Sequence, residues 1–132
     1  MNITCVSPDK VADYWPRFSG LIKPALEDTL TDFSCVACDV LAGRNLLWFA
    51  WVGSEVYAAA VTSLAVANGK KFMTIVACGG REMESWKPLI ATLEKHARDE
   101  GCQSVAIFGR PGWERIYPQF KRTGVILEKE LT

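Results

Sequence analysis

Apolar positions in this chain follow two rhythms, one helical and one extended. From Val11 they recur through Trp15, Phe18, Leu21 and Ile22 at helical spacing. Ser7 stands where it can cap this helix, and Pro8 fits its first position. Pro16 and Gly20 predict a kink or break within it. A second helix is predicted after Thr31 or Asp32, running through "FSCVACDVLAG" and stopping at Gly43. Further on, Leu89, Ile90, Leu93 and Ala97 fall on one face, while Glu94, Lys95, Arg98 and Asp99 fall on the other. Ser85 is placed to cap that helix, Pro88 sits in its first turn, and Gly101 ends it.

The extended rhythm fills the middle of the chain. "NLLWFAWV", "EVYAAAVTSLAV" and "KKFMTIVAC" are rich in aromatic and β-branched residues. Gly53-Ser54 separates the first two, and Asn68-Gly69 the second two. Asn-Gly is a strong hairpin signal because both residues tolerate positive φ. The three stretches therefore predict an antiparallel meander. "FMTIVAC" is apolar at successive positions, which predicts a central strand covered on both faces. Shorter strands are predicted at "NITCV", at "QSVAIFG" and at "VILEKEL", with a short helix over "GWERIYPQFKRTG" broken by Pro118. The predicted order is β-α-α-β-β-β-α-β-α-β: an α/β fold with a mixed sheet and helices on both faces.

Length and composition narrow the reading. The 132 residues suit one domain, and 49% of them are hydrophobic, enough for a sizeable core. Fifteen basic residues balance fifteen acidic ones, so the basic footprint of a nucleic-acid binder is missing. No apolar run approaches the ~20 residues that span a bilayer. "MNITCVSPDK" lacks the charged start and apolar core of a signal peptide, so a cytoplasmic location is expected.

Candidate chemistry is sparse. Five cysteines, an odd number, do not form a disulfide framework. Cys35 and Cys38 form a C-x-x-C inside a helical pattern, with no second pair or paired histidines, and are expected to be buried thiols rather than metal ligands. One histidine and scattered carboxylates give no metal spacing. His96 is expected at the solvent edge of its helix's last turn, too far along the rise for a dyad with Cys78. Trp48 and Trp51, three apart on a strand, should point to opposite faces.

The residues "TIVACGGREMESWKPLIATLEKHARDEGC" followed by "SVAIFGRPGWERIYPQFKRTGVILEKEL" resemble the GCN5-related N-acetyltransferase (GNAT) fold, and the likeness in element order covers nearly the whole chain. A single GNAT-like domain over residues 1–132 is implied. In that family acetyl-CoA lies where the central strand splays from the next one. Its pyrophosphate rests on backbone amides in a loop of the form (Arg/Gln)-x-x-Gly-x-(Gly/Ala), at a helix N-terminus whose free N–H groups and dipole attract anions. Here Arg81 matches the first position, but the two small positions fall on Glu84 and Trp86. Trp86 obstructs close approach, and Glu84 repels a phosphate by about 1 kcal/mol in water at ~4 Å, more in a cleft.

The resemblance implies, for a working site, Val76 and Cys78 along the pantetheine arm, Gly79, Gly80 and Arg81 at the pyrophosphate, and Glu82 or Glu84 as a base. A glycine pair can form a concave row of amides or simply meet the φ demands of a tight turn. The family's proton-donating tyrosine falls on Phe120, which has no proton to give. Tyr117 is the nearest replacement, either as that acid or as an aromatic packing its helix on the sheet. "FGRPGWERIY", "CGGRE…W" and the terminal "LEKEL" further resemble small GNAT-like proteins of tailed phages and prophages.

Two functions follow as expectations. One is a GNAT-like protein with a degenerate acetyl-CoA site, acting as a binding or structural component toward a protein partner or phage component. It would act in the cytoplasm, or in the host cytoplasm or virion if phage-encoded. The other is an acetyl-CoA-dependent N-acetyltransferase for an amine or peptide N-terminus. Whether Trp86 and Trp113 fill the cleft between the fourth and fifth strands separates them. An unpaired edge at the last strand also suggests a homodimer.

Overall fold

The computed structural model describes residues 1–27, 29–109 and 112–131, with the side chains of Glu84 and Ser85 outside that description. The expected cap at Ser85, the position of Glu84 and part of the "FGRPGWERIY" loop therefore lie outside the described residues. The elements run β1 (Asn2–Cys5), α1 (Val11–Leu26), α2 (Phe33–Leu41), β2 (Leu46–Val52), β3 (Glu55–Ala67), β4 (Lys70–Gly80), α3 (Lys87–Asp99), β5 (Ser104–Ile107) and α4 (Gly112–Ile116). The sheet order is β1-β2-β3-β4-β5, antiparallel through β4 and parallel between β4 and β5.

The hairpin signals operate as expected. Asn68 and Gly69 take φ of 54° and 76°, the pair of positive angles a two-residue turn needs, and Ala67 then pairs with Lys70. Asp32 caps α2, its carboxylate accepting the Ser34 N–H at 3.4 Å. The start of α1 differs from expectation. It begins at Val11, after a turn that Ser7 opens: the Ser7 carbonyl accepts the Lys10 N–H at 2.9 Å. The helix also runs unbroken through Pro16, Gly20 and Pro24. Its apolar face, Val11, Trp15, Phe18, Ile22 and Leu26, is buried, and that packing outweighs the hydrogen bond a proline removes.

Two cores flank the sheet. On one face α1 and α2 cover Leu47, Ala59, Val61 and Ala77; on the other α3 covers Trp48, Ala50, Ala58, Ala60, Met73, Ile75 and Cys78. The side-chain alternation along β4 changes parity once. Thr62 pairs with Ile75 and Val61 with Ala77, so Val76 is an extra residue opposite that pair. Without this bulge Ala77 would follow Met73 and Ile75 onto the α3 face; with it, Cys78 does.

Three expectations are corrected. Val125–Leu131 forms no strand: residues 121–131 have no regular structure and every one is exposed. β5 is only four residues long, and nothing lies on its outer edge among the described residues. Cys35 and Cys38 are exposed rather than buried, because α2 turns Val36 and Val40 inward instead. His96 is half-buried at the edge of the α3 face: its ring lies edge-on to Trp48 at 5.1 Å with Nε2 enclosed, and it lines a concavity with Arg44 and Glu100.

Candidate functional site: the splay between β4 and β5

β5 follows β4 only from Phe72 to Ile75, where Ile75 pairs with Ile107. β4 then continues to Gly80 with β3 as its only strand partner among the described residues. The divergence begins at the bulged Val76, so local twist and loss of pairing coincide. A V-shaped gap opens above Ile75, flanked by Val76, Cys78 and the loop after Gly80.

Aromatic side chains occupy that gap. Trp86, the cap residue of α3, is 4% exposed, and its indole N–H donates to the Arg81 carbonyl at 2.9 Å. Its ring meets Trp113 at 5.9 Å, and Trp113 stacks on Tyr117 at 5.5 Å. Phe120 closes the row against Tyr117, edge-on at 6.4 Å. Gly109 makes room for this arrangement: a Cβ there would stand 2.7 Å from the Trp113 ring. Met83, Trp113, Ile116 and Phe120 all pack against the buried cluster that holds Trp86, Tyr117 and Cys78. Two concavities lie away from the splay. One of about 250 Å³ is lined by Arg44, Thr62, His96 and Glu100, and another of about 460 Å³ lies at the connection from α1 to α2, lined by Lys23, Leu26, Thr31 and Phe33.

The two glycines belong to β4 rather than to a turn after it. A Cβ on Gly79 would overlap the Leu21 carbonyl of α1, and one on Gly80 would overlap the Tyr57 carbonyl of β3. Gly80 also has φ of 150°, outside the ordinary range of L residues. Both are needed where helix, strand and strand converge. Sequence reasoning left them open between an anion cradle and a turn, and packing accounts for both.

Arg81 is committed twice. Its backbone N–H donates to the Tyr57 carbonyl at 2.9 Å, extending the β3–β4 pairing. Its guanidinium pairs with the Glu55 carboxylate and lies 4.4 Å from the Tyr57 ring centroid. The Glu55 hydrogen bond holds the guanidinium pKa above its ordinary value. Arg81 is thus turned toward β3, whereas the splay opens on the β5 side. Glu82 is exposed with φ of 53°, reversing the chain before a single 3₁₀ turn at Met83–Trp86. Glu55 and Tyr57 were missed from sequence. Counting back from the Asn68-Gly69 turn puts Tyr57 opposite Gly80, and the bulge at Val76 moves it one residue further, to Arg81.

Cys78 is buried, and burial pushes its thiol far up from the ordinary range. Tyr117 is 3% exposed, and burial, with a smaller contribution from neighbouring Cys78, pushes its pKa up to about 12. Its hydroxyl donates to the Met83 carbonyl at 3.4 Å, a long hydrogen bond. The structure therefore gathers Cys78 and Tyr117 at the splay, and turns Arg81 away. Among the described residues no group of three or more His, Cys, Asp or Glu side chains is placed to hold a metal ion.

No protein-family profile matches the chain, and no curated protein matches it in sequence. Solved structures do match in shape. An aminoglycoside acetyltransferase from an uncultured soil metagenomic sample superposes with a TM-score of 0.68 at 9% identity, over 99% of this chain and 96% of that one. A ribosomal-protein-alanine N-acetyltransferase from Brucella melitensis biovar Abortus 2308 gives 0.66 at 11%, over 100% and 99%. A predicted acetyltransferase from Clostridium acetobutylicum, solved with acetyl-CoA, gives 0.68 at 12%, over 98% and 95%. The chain has the GNAT fold: a mixed α/β architecture on a five-stranded sheet. At these identities the likeness extends to the fold and no further.

Proposed function

We propose that this chain is a GNAT-fold protein whose acetyl-CoA site is degenerate and which acts as a binding or structural component, of the kind that tailed phages and prophages encode. The observation that carries this reading is the aromatic row of Trp86, Trp113 and Tyr117 in the gap where the fold's cofactor would lie. Tryptophan at the cap of α3 also puts a buried indole where close backbone approach to a pyrophosphate is needed. Arg81, the remaining match to the phosphate loop, spends its amide on Tyr57 and its guanidinium on Glu55. Its work would be contact with a protein partner or phage component, in the cytoplasm or, if phage-encoded, in the host cytoplasm or virion. No described helix is long and apolar enough to cross a membrane.

The second reading is a working N-acetyltransferase acting on an amine or peptide N-terminus. It is favoured by Tyr117, which brings a protonated hydroxyl to the splay beside Cys78, where a departing thiolate needs a donor, although burial pushes its pKa up to about 12 and weakens it as an acid. Isothermal titration with acetyl-CoA separates the two. Under the leading reading the protein gives no heat at millimolar ligand, and Trp113→Ala, which removes the most exposed part of the row, does not create micromolar binding. Micromolar binding by the unaltered protein that Trp113→Phe preserves would sink that reading in favour of the enzyme.

A further inference from the structure

We infer that Cys35 and Cys38 form a reversible redox site: a dithiol on the solvent face of α2 that exchanges with a low-molecular-weight disulfide and closes into an intrahelical disulfide. The two cysteines are three positions apart in a nine-residue helix, so they share one stripe of its surface. Val36 and Val40 take the inward stripe into the core, and both thiols are left exposed. Burial would make such thiols inert, whereas an exposed pair is open to a disulfide reagent. α2 covers the sheet face away from α3, so this site is independent of the splay.

Geometry decides what kind of disulfide results. Helical neighbours at this spacing keep their Cβ atoms about 5–6 Å apart, and a disulfide needs them at about 3.5–4.5 Å. The first turns of α2 must therefore tighten to close it. The start of the helix is already drawn toward 3₁₀ spacing, since the Asp32 carbonyl accepts from the Cys35 N–H at 3.1 Å and the Val36 N–H at 3.2 Å. The bond so formed is exposed and strained, the combination that makes a disulfide easy to reduce again. Asp32 sets the reduced state. One of its carboxylate oxygens accepts the Ser34 N–H at 3.4 Å, and the other accepts the Cys35 thiol at 3.5 Å. That hydrogen bond and the Asp32 charge raise the Cys35 pKa, which keeps the sulfur protonated at neutral pH and slows its oxidation. The exchange balances. One cysteine thiolate attacks a disulfide RS–SR, forming a mixed disulfide and expelling RS⁻. The other cysteine gives up its proton, attacks the first sulfur and expels the second RS⁻. The protein's two thiols are oxidised, and the reagent leaves as two thiols carrying the protons the cysteines lost.

Incubation of the full chain with oxidised glutathione at neutral pH tests this, read by intact mass and peptide mapping. The expected product is the folded chain lighter by two hydrogen atoms, with Cys35 joined to Cys38 and reopened by excess reduced glutathione. Cys35→Ser and Cys38→Ser should each stop at a glutathione adduct on the remaining cysteine of the pair, and Cys5→Ser should leave closure intact. In the Cys38→Ser background, Asp32→Asn keeps a capping side chain and should speed adduct formation at Cys35 about threefold; an unchanged rate overturns the part given to Asp32. Stable adducts on both cysteines of the unaltered protein overturn the inference, because the helix then holds the sulfurs apart. A disulfide between two molecules, a product that reduced glutathione does not reopen, or no reaction at either cysteine overturns it as well.

Discussion

The two halves of β4 show one strand solving the same problem in two ways. From Phe72 to Ile75 it lies between β3 and β5, and its backbone is satisfied by strands on both sides. From Val76 to Gly80 it keeps β3 but loses β5, and the space is taken by side chains of α3, α4 and the segment after it. The first half is defined by backbone pairing on both sides and by Met73 and Ile75, fully buried against α3. The upper half depends on particular residues: two glycines that admit neighbouring backbone, and three aromatics that keep the gap dry. The lower half is thus completed by a strand and the upper half by side chains of the chain itself.

The largest effect should come from the glycines. Gly79→Ala forces a Cβ into the Leu21 carbonyl, so α1 or β4 must shift, and a loss of about 3–5 kcal/mol is expected by urea denaturation. A Cβ at Gly20, on the same helix, would meet nothing within 4 Å, and Gly20→Ala should stabilise by about 0.5–1 kcal/mol. If the two substitutions cost the same, close approach is not what keeps Gly79, and the packing account of the upper half fails.

Next comes the dryness of the aromatic row, which pH reports. Tyr117 is raised from 10.0 to about 12, so an unfolded chain gives up this proton two units before the folded one, a difference of about 2.7 kcal/mol at most. Stability from this source is fully present below pH 10 and is lost as pH rises toward 12. Cys78, raised by burial, acts with the same sign, from its ordinary value of 9.0 upward. Urea midpoints should therefore fall steeply above pH ~9.5, and less steeply in Tyr117→Phe. At neutral pH that substitution removes only a long hydrogen bond and should cost less than about 1 kcal/mol. Equal slopes for the two proteins would mean that water reaches the tyrosine and the gap is open.

Sequence patterns and packing contributed differently to the two halves. The meander, its turns and the buried face of α3 were legible, because period and turn chemistry are local: Leu89, Ile90, Leu93 and Ala97 are the buried residues of α3. The resemblance located the splay and named Trp86, Trp113 and Tyr117. What could not be read was long-range. Gly79 is needed because of a carbonyl in α1, 58 positions earlier in the chain, and Arg81 faces Glu55 because of a bulge opposite Thr62. A C-x-x-C in an amphipathic helix likewise gives no sign of which face turns inward; Val36 and Val40 decided that against the cysteines. The terminal strand was misjudged because β-propensity belongs to the segment alone, and residues 125–131 do not pair with β5 although its outer edge is free among the described residues.

The smallest effect in stability tests the comparison most directly. Arg81 and Glu55 pair on the surface, each more than half exposed, and such a pair is worth about 0.2–1 kcal/mol. Glu55→Ala should therefore barely move the urea midpoint, yet it releases the one guanidinium that the phosphate-loop resemblance assigns to a pyrophosphate. If carboxylate capture alone had silenced the site, the released Arg81 would bind acetyl-CoA, weakly and with strong salt dependence. The geometry argues otherwise. The Arg81 amide would still be given to Tyr57, Trp86 would still donate to the Arg81 carbonyl, and the aromatic row would still fill the gap. The expected titration is flat, and a measurable heat that vanishes at high salt would mean that the upper half of β4 is a ligand site held shut by a single ion pair.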